Sequence, residues 1–464
     1  MSPEPSVSVG HPAVRLLVLA GPVIATNLSR PAMSLVDFLM VKQLGTEAMA
    51  AIVPARMVVF CLIAFGLGLV SAVNTFVAQA LGRGDDSDCA AYAWQGIYLS
   101  LVAGVVLIPG WWLIDPLFQA TAHGPDVVPL EIAYTKVSLY GMGPSIAAAA
   151  IGNFFIGIHR PSVNLVAVLV SNVFNVVANY ALIFGNFGFP ALGMTGAAWA
   201  TLAACVLQVA ILFAWILLPR YHERYATRST WRLDLRKLWR LVRIGTPAGV
   251  HLGVDFATWT FFTIVLVGRF GHIELAANNI CFTILEPSYM PAVGLGMALT
   301  SSVGRCIGAG RVDLARRYVR WGLIFNVCYM GSLGILMAVF RNELAAFFSS
   351  PDDPESAAVV AAASPLLIMA AIFQGFDGMA ITFNRSLAGA GDTLWPATLF
   401  VISAVLVLAG GGYLSVVQFP QWKAMGPWLA GTIHLIVIAL LLAGRYYHGK
   451  WERINIEGDA GEGR

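Results

Sequence analysis

Apolar runs long enough to cross about 30 Å of hydrocarbon recur along the whole chain, each closed by a short polar or glycine-containing stretch. Read as helices, they predict spans at 13–41, 51–80, 93–115, 131–158, 161–185 and 193–219 in the first half. The second half repeats the pattern at 239–268, 276–307, 314–340, 357–387, 393–415 and 424–447. Such long apolar helices leave no room for a separate soluble domain. The predicted class is an all-α membrane protein of 12 transmembrane helices.

The two halves are also alike residue by residue. Shifting the sequence by 226 positions aligns Val41–Gly96 with Val267–Gly322 without a gap, with twelve identities in 56 positions. Five are glycines: Gly45/Gly271, Gly68/Gly294, Gly82/Gly308, Gly84/Gly310 and Gly96/Gly322. Small residues recur in membrane helices because they let backbones approach closely, but this match runs through the loops as well. Six spans separate the copies, an even number, so both halves insert in the same sense. That is a pair of parallel six-helix repeats related by an axis along the membrane normal, an arrangement used by transporters that rock two halves around a central site. The predicted organisation is an N-terminal lobe at 1–219, a basic linker at 220–238, a C-terminal lobe at 239–447 and a cytoplasmic tail at 448–464.

Composition agrees. Hydrophobic residues make up 58% of the 464 and charged residues 11%, where a soluble domain carries about a quarter charged. The net charge of +3 is too small to argue for a nucleic-acid partner. Position matters more than the sum. One side of the spans carries 21 Lys and Arg, including eight at 220–243, five at 305–320, and scattered residues such as Arg83, Arg160, Arg385 and Arg445. The other side carries four, which places both termini in the cytoplasm. The six cysteines show no metal-ligand spacing and read as buried apolar thiols. The first ten residues, MSPEPSVSVG, lack the basic start of a cleavable signal, so the first apolar run is expected to stay as a span.

Five stretches resemble the multidrug and toxic compound extrusion (MATE) family of secondary transporters. They are LAGPVIATNLSRPAMSLVDFLMVKQLG in the first span, GLGLVSAVNTFVAQALGRGD in the second, SNVFNVVANYALIFGNFGFPALGMTGAAWAT from the fifth, RIGTPAG in the seventh and SLAGAGDT at the end of the tenth. In the last, Ala388 fills the arginine position of the family's LRGxGDT. The resemblance spans essentially the whole chain. It implies a V-shaped 6+6 helical fold that exports organic cations against a Na⁺ or H⁺ gradient from a bacterial inner membrane, working as a monomer without a cofactor and without enzymatic activity.

Four acids fall inside the predicted spans: Asp37, Asp255, Glu286 and Asp377. A carboxylate there is disfavoured by roughly 2.5–3.5 kcal/mol, and by default it faces the interior or a water-filled path. The plain alternative is a helix-packing hydrogen bond. The resemblance raises Asp37, fifteen residues after Pro22. It also raises Asp255, eight after Pro247, where one family branch carries a glutamate, and Asp377, fifteen before Asp392. Together they imply a cation site in the second lobe, with Asp255 and Asp377 as metal ligands only if the coupling ion is Na⁺. Phe373 stands where that branch has a tyrosine, and Asp255 is a methylene shorter than glutamate. Both changes weaken the case for a tight Na⁺ cage and favour H⁺, which needs none. Glu286, followed by Pro287, has no family counterpart and stays open between functional and structural.

Asn175 and Asn179 lie one helical turn apart and share a face. They bridge helices, or line a cavity with Asp37 as the resemblance implies for Asn179. Arg30 stands seven residues before Asp37, on a similar face. It either forms a structural ion pair with Asp37 or acts in the cavity, where it favours substrates bearing an acidic group. Pro31, Pro247, Pro291 and Pro396 are candidate hinges. The alternatives to cation export are a lipid-linked saccharide flippase, for which Arg30, Arg56 and Lys136 are the only basic cavity candidates, and a metabolite carrier. No HExxH, GxSxG or CxxC pattern argues for an enzyme.

Overall fold

The computed structural model describes residues 11–121, 123–349, 354–454 and 456. The expectations for the first ten residues and for most of the 448–464 tail lie outside them. Among the described residues there are helices and connecting turns, and no strand. The first half runs α1 (Pro12–Lys42), α2 (Thr46–Arg83), α3 (Asp86–Leu107), α4 (Trp111–Gln119), α5 (Val128–Gly157), α6 (Pro161–Phe184) and α7 (Gly193–Ile216). A short α8 (Pro219–Tyr225) occupies the start of the basic linker. The second half runs α9 (Leu235–Phe261), α10 (His272–Gly308), α11 (Val312–Val339), α12 (Arg341–Phe348), α13 (Ser356–Ala390), α14 (Leu394–Ser403), α15 (Gly412–Gln418) and α16 (Met425–Tyr447).

Eleven helical segments among the described residues are long and apolar enough to span a membrane. The predicted span at 276–307 is the long helix α10, which is not among those eleven. It carries Pro287, Pro291 and a buried run of Thr300, Ser301 and Ser302, which lower its mean hydropathy. What marks it as a span is its likeness to α2. That likeness has a backbone basis in the loops. Gly45 and Gly271 precede α2 and α10 with φ of 115° and 92°, and Gly84 and Gly310 follow them at 80° and 69°. A side chain is strained in that left-handed region, so both copies keep glycine there.

The expected hinges fare unequally. Pro31, Pro247 and Pro291 lie inside helices, but Pro396 is the third residue of α14, where the missing N–H has no helical acceptor to lose. The irregular backbone lies elsewhere. A π-helical stretch at Phe262–Val267 extends α9, and another at Ala404–Gly411 joins α14 to α15. Gly412 lets Leu266 sit close, since a Cβ there would come 2.5 Å from its Cδ1.

By compactness the chain divides inside two helices, not at the linker. One unit is Ala25–Gly249; the other joins the segment ending at Ile24 to Val250 and beyond. In the 25–249 unit, α9 meets α2 backbone to backbone, and a Cβ on Gly68 would come 2.5 Å from the Cα of Gly249. Phe76 and Tyr92 stack at 4.4 Å in its core. In the other unit, Leu16, Leu19 and Ala20 of α1 share a buried cluster with Phe262, Leu299 and Trp428.

Candidate functional site

In the 25–249 unit, α1 presents two opposed stripes. Ala25, Leu28, Ala32, Leu35 and Leu39 are exposed and apolar, as lipid-facing residues are. The opposite stripe holds Thr26, Asn27, Arg30, Ser34, Asp37 and Val41, of which Thr26, Asn27, Asp37 and Val41 are buried. The 3.6-residue period brings these polar positions onto one line. Asp37 is 8% exposed and accepts a hydrogen bond from Asn179 Nδ2 at 2.6 Å. Asn175, one turn earlier on α6, lies 2.8 Å from that same nitrogen. With its amide turned, Asn175 also donates to Asp37 Oδ1, at 3.0 Å. The predicted trio of Asp37, Asn175 and Asn179 is therefore one hydrogen-bonded group.

The cation nearest this group is not Arg30. Arg56 of α2 lies in the electrostatic field of Asp37 and donates to both the backbone oxygen, at 3.2 Å, and the hydroxyl of Ser34. The expected Arg30–Asp37 ion pair does not form; Arg30 instead faces Cys205 of α7. Cys205 accepts from Ser145 Oγ of α5 at 3.2 Å, and Tyr134 shares the field of Arg56, Asp37 and Cys205. Lys136 leaves the list of cavity cations, because it pairs with Asp115 at 2.7 Å beside the Trp111 ring.

In the other unit, Asp255 of α9 and Asp377 of α13 lie within each other's electrostatic field. Trp259, one turn after Asp255, hydrogen-bonds its carboxylate. Tyr289 of α10 feels both acids and Arg385. Arg385, grouped above with the cations of the cytoplasmic side, lies within α13 as the predicted span 357–387 has it; its stem is packed where Gly296 leaves room, and its guanidinium is also near His251. Phe373 lies a turn before Asp377, buried and stacked on Trp428 with centroids 6.5 Å apart. Glu286 stands apart, on an exposed stripe of α10 with Asn279 and Thr283.

Arg56, Tyr289 and Arg385 are the participants that sequence reasoning left out. Arg56 was weighed only as a flippase feature. Arg385 was legible in principle, since no glycine or proline interrupts the chain between Gly378 and Gly389 and the helix runs on past it.

Comparison with known proteins gives a consistent picture. The family model described as MatE matches the chain twice, over residues 22–181 and 255–414. A probable multidrug resistance protein NorM of Rhizobium meliloti (strain 1021) is 31% identical over 440 residues, covering 93% of this chain and 92% of the relative. Another, from Deinococcus radiodurans, is 30% identical over 450 residues, covering 96% and 97%. Among solved structures, a multidrug resistance MATE family transporter of the MOP superfamily in an outward-facing conformation superposes with a TM-score of 0.86 at 20% identity, covering 96% and 98%. A MOP superfamily transporter from Pyrococcus furiosus, described as having a binding pocket of reverse polarity, gives 0.85 at 19%, with the same coverage. At these identities the structures show a shared fold, and the two matches of the family model mark two repeats within it.

Proposed function

The chain belongs to the MatE family of multidrug transporters, and on that footing we propose that it is a secondary active antiporter exporting organic cations in exchange for protons. The observation that carries this reading is the placing of Asp255 and Asp377 in one another's field inside one compact unit. Two negative charges in an apolar surrounding repel, and a bound cation relieves that repulsion. A proton and an organic cation therefore compete for the same carboxylates. Loading one discharges the other, and that exchange is what an antiporter needs.

Protons are favoured over Na⁺ because the ring of Phe373 is buried against Trp428 and offers no oxygen. Trp259 gives the pair a hydrogen-bond donor instead. The Lys and Arg bias of 21 against four supports cytoplasmic termini in a bacterial inner membrane. The partners proposed are small organic cations, the coupling ion and the bilayer, for a monomer without nucleic acid or cofactor.

The test is efflux of a fluorescent organic cation from proteoliposomes with proton and Na⁺ gradients imposed separately. The wild type is expected to respond to the proton gradient, and folded Asp377→Asn to lose that response. Unimpaired transport in Asp377→Asn removes the assigned role; a response to Na⁺ alone replaces the proton.

A further inference from the structure

Arg30 is a guanidinium in the middle of a membrane span without a carboxylate partner. It lies 18 residues after the start of α1 and 12 before its end, about 27 Å and 18 Å of helical rise. Among the described residues no ion pair or side-chain hydrogen bond involves it, and Cys205 is the one group in its electrostatic field. Asp37 is separated from it by seven residues, about 10 Å along the axis, and is held by Asn179 and Asn175. Other acids of this unit are engaged too. Asp115 is bound to Lys136 and Glu131 to His123, the latter at 2.8 Å, while Asp88 is bound to Arg83 and Lys237.

The second observation is where the side chain is open. Arg30 lies on the stripe of Thr26, Asn27, Asp37 and Val41, all buried, opposite the lipid-facing stripe of Ala25, Leu28, Ala32, Leu35 and Leu39. Yet Arg30 itself is exposed. Its accessible surface therefore faces space on the protein side of the helix, not lipid. Cys205 stands beside that space, and Ser145 touches Cys205 at 3.2 Å. With Arg56 fixed on Ser34, this polar group holds two guanidiniums against the single carboxylate of Asp37.

We propose that Arg30 binds a carboxylate carried by the transported molecule, so that the cargo includes zwitterionic organic cations whose acidic group seats on α1. The planar guanidinium suits a carboxylate through two parallel hydrogen bonds, and an ionisable group at this depth is retained where it lines a water-filled path. Ser145, in contact with Cys205, supplies a hydroxyl to the same group. The inference rests on the export reading insofar as the bound molecule is cargo; the anion site itself does not.

The experiment uses an aminoxanthene dye with a free carboxylate and the methyl ester of the same dye. Binding is measured by fluorescence anisotropy to purified full-length protein, and transport in proteoliposomes. The wild type is expected to bind the acid about tenfold more tightly than the ester, a difference of ~1.4 kcal/mol. Arg30→Gln should bring the two within about threefold, and Arg30→Lys, which keeps the charge but not the two parallel hydrogen bonds, should restore only part of the preference. Equal binding of acid and ester by the wild type overturns the proposal, whether or not the variants fold. So does a preference that Arg30→Gln leaves intact. If the acid preference depends on Arg30 but neither dye moves across the vesicle membrane, the anion site stands and the export reading falls.

Discussion

The aspartate of the GAGDT stretch offers a calculable test of how the second unit is held together. Asp392 follows Gly391, whose φ of 91° ends α13, and its Oδ2 accepts from Nε of Arg445 on α16 at 2.7 Å. The side chains are 4% and 14% exposed, and the guanidinium also lies over Trp395, 5.4 Å from the ring centroid. Removing one member of such a pair strands a charge in a site built for two, at a cost of about 3–5 kcal/mol. An exposed pair would be worth only about 0–1 kcal/mol. For a unit of this size, 1 kcal/mol moves Tm by about 2–4 °C, so Arg445→Gln or Asp392→Asn should each lower Tm by roughly 6–20 °C. The double variant, which leaves no orphan charge, should lose much less than the sum, with a coupling of about 2–3 kcal/mol. Thermal unfolding of the purified protein in detergent, followed by near-UV circular dichroism, reads all four proteins. Single variants melting within about 3 °C of wild type would refute the reasoning and class the contact with surface pairs.

Two further predictions come from packing. Gly249→Val should abolish folded protein in detergent size-exclusion chromatography, because a Cβ there would come 2.7 Å from the backbone oxygen of Phe65, whereas Gly253→Ala, which meets nothing within 4 Å, should behave as wild type. Phe373→Tyr should lower stability by about 1–3 kcal/mol, the cost of a buried hydroxyl without a partner; an unchanged Tm would place an acceptor within its reach and reopen the Na⁺ reading.

The sequence made the spans legible because lipid demands long, uniformly apolar helices, and α10 was legible through its kinship with α2 even though its own hydropathy is low. Asn175 and Asn179 share a face as their spacing suggested, and Asp37 meets them as the resemblance implied for Asn179. The partners of single charges were harder. Arg30 and Asp37 lie on one face, yet a helix separates side chains seven apart by two turns, and Asp37 takes its hydrogen bonds from α6 instead. The apolar pattern put Arg385 inside the span at 357–387, but its neighbours Gly296 and His251 come from tertiary packing. Tyr289 reached the acid pair through tertiary packing of α10, which no local spacing encodes. Phe373 was recognised as lacking a hydroxyl, but its stacking on Trp428, 55 positions later, is a long-range contact.

The chain's division inside α1 and α9 also bears on how it is made. Leu16 and Leu19 emerge from the ribosome first, but their buried partners begin at Phe262, more than 240 residues later. The 25–249 unit, for its part, stays incomplete until Gly245 and Gly249 arrive from beyond the linker to close against Leu69 and Phe65. Neither unit can be finished from its own half of the message. The opening segment of α1 must wait in the bilayer, unpartnered, while the rest is threaded in, and a gene cut at the linker would yield two products that each lack a strip of the other.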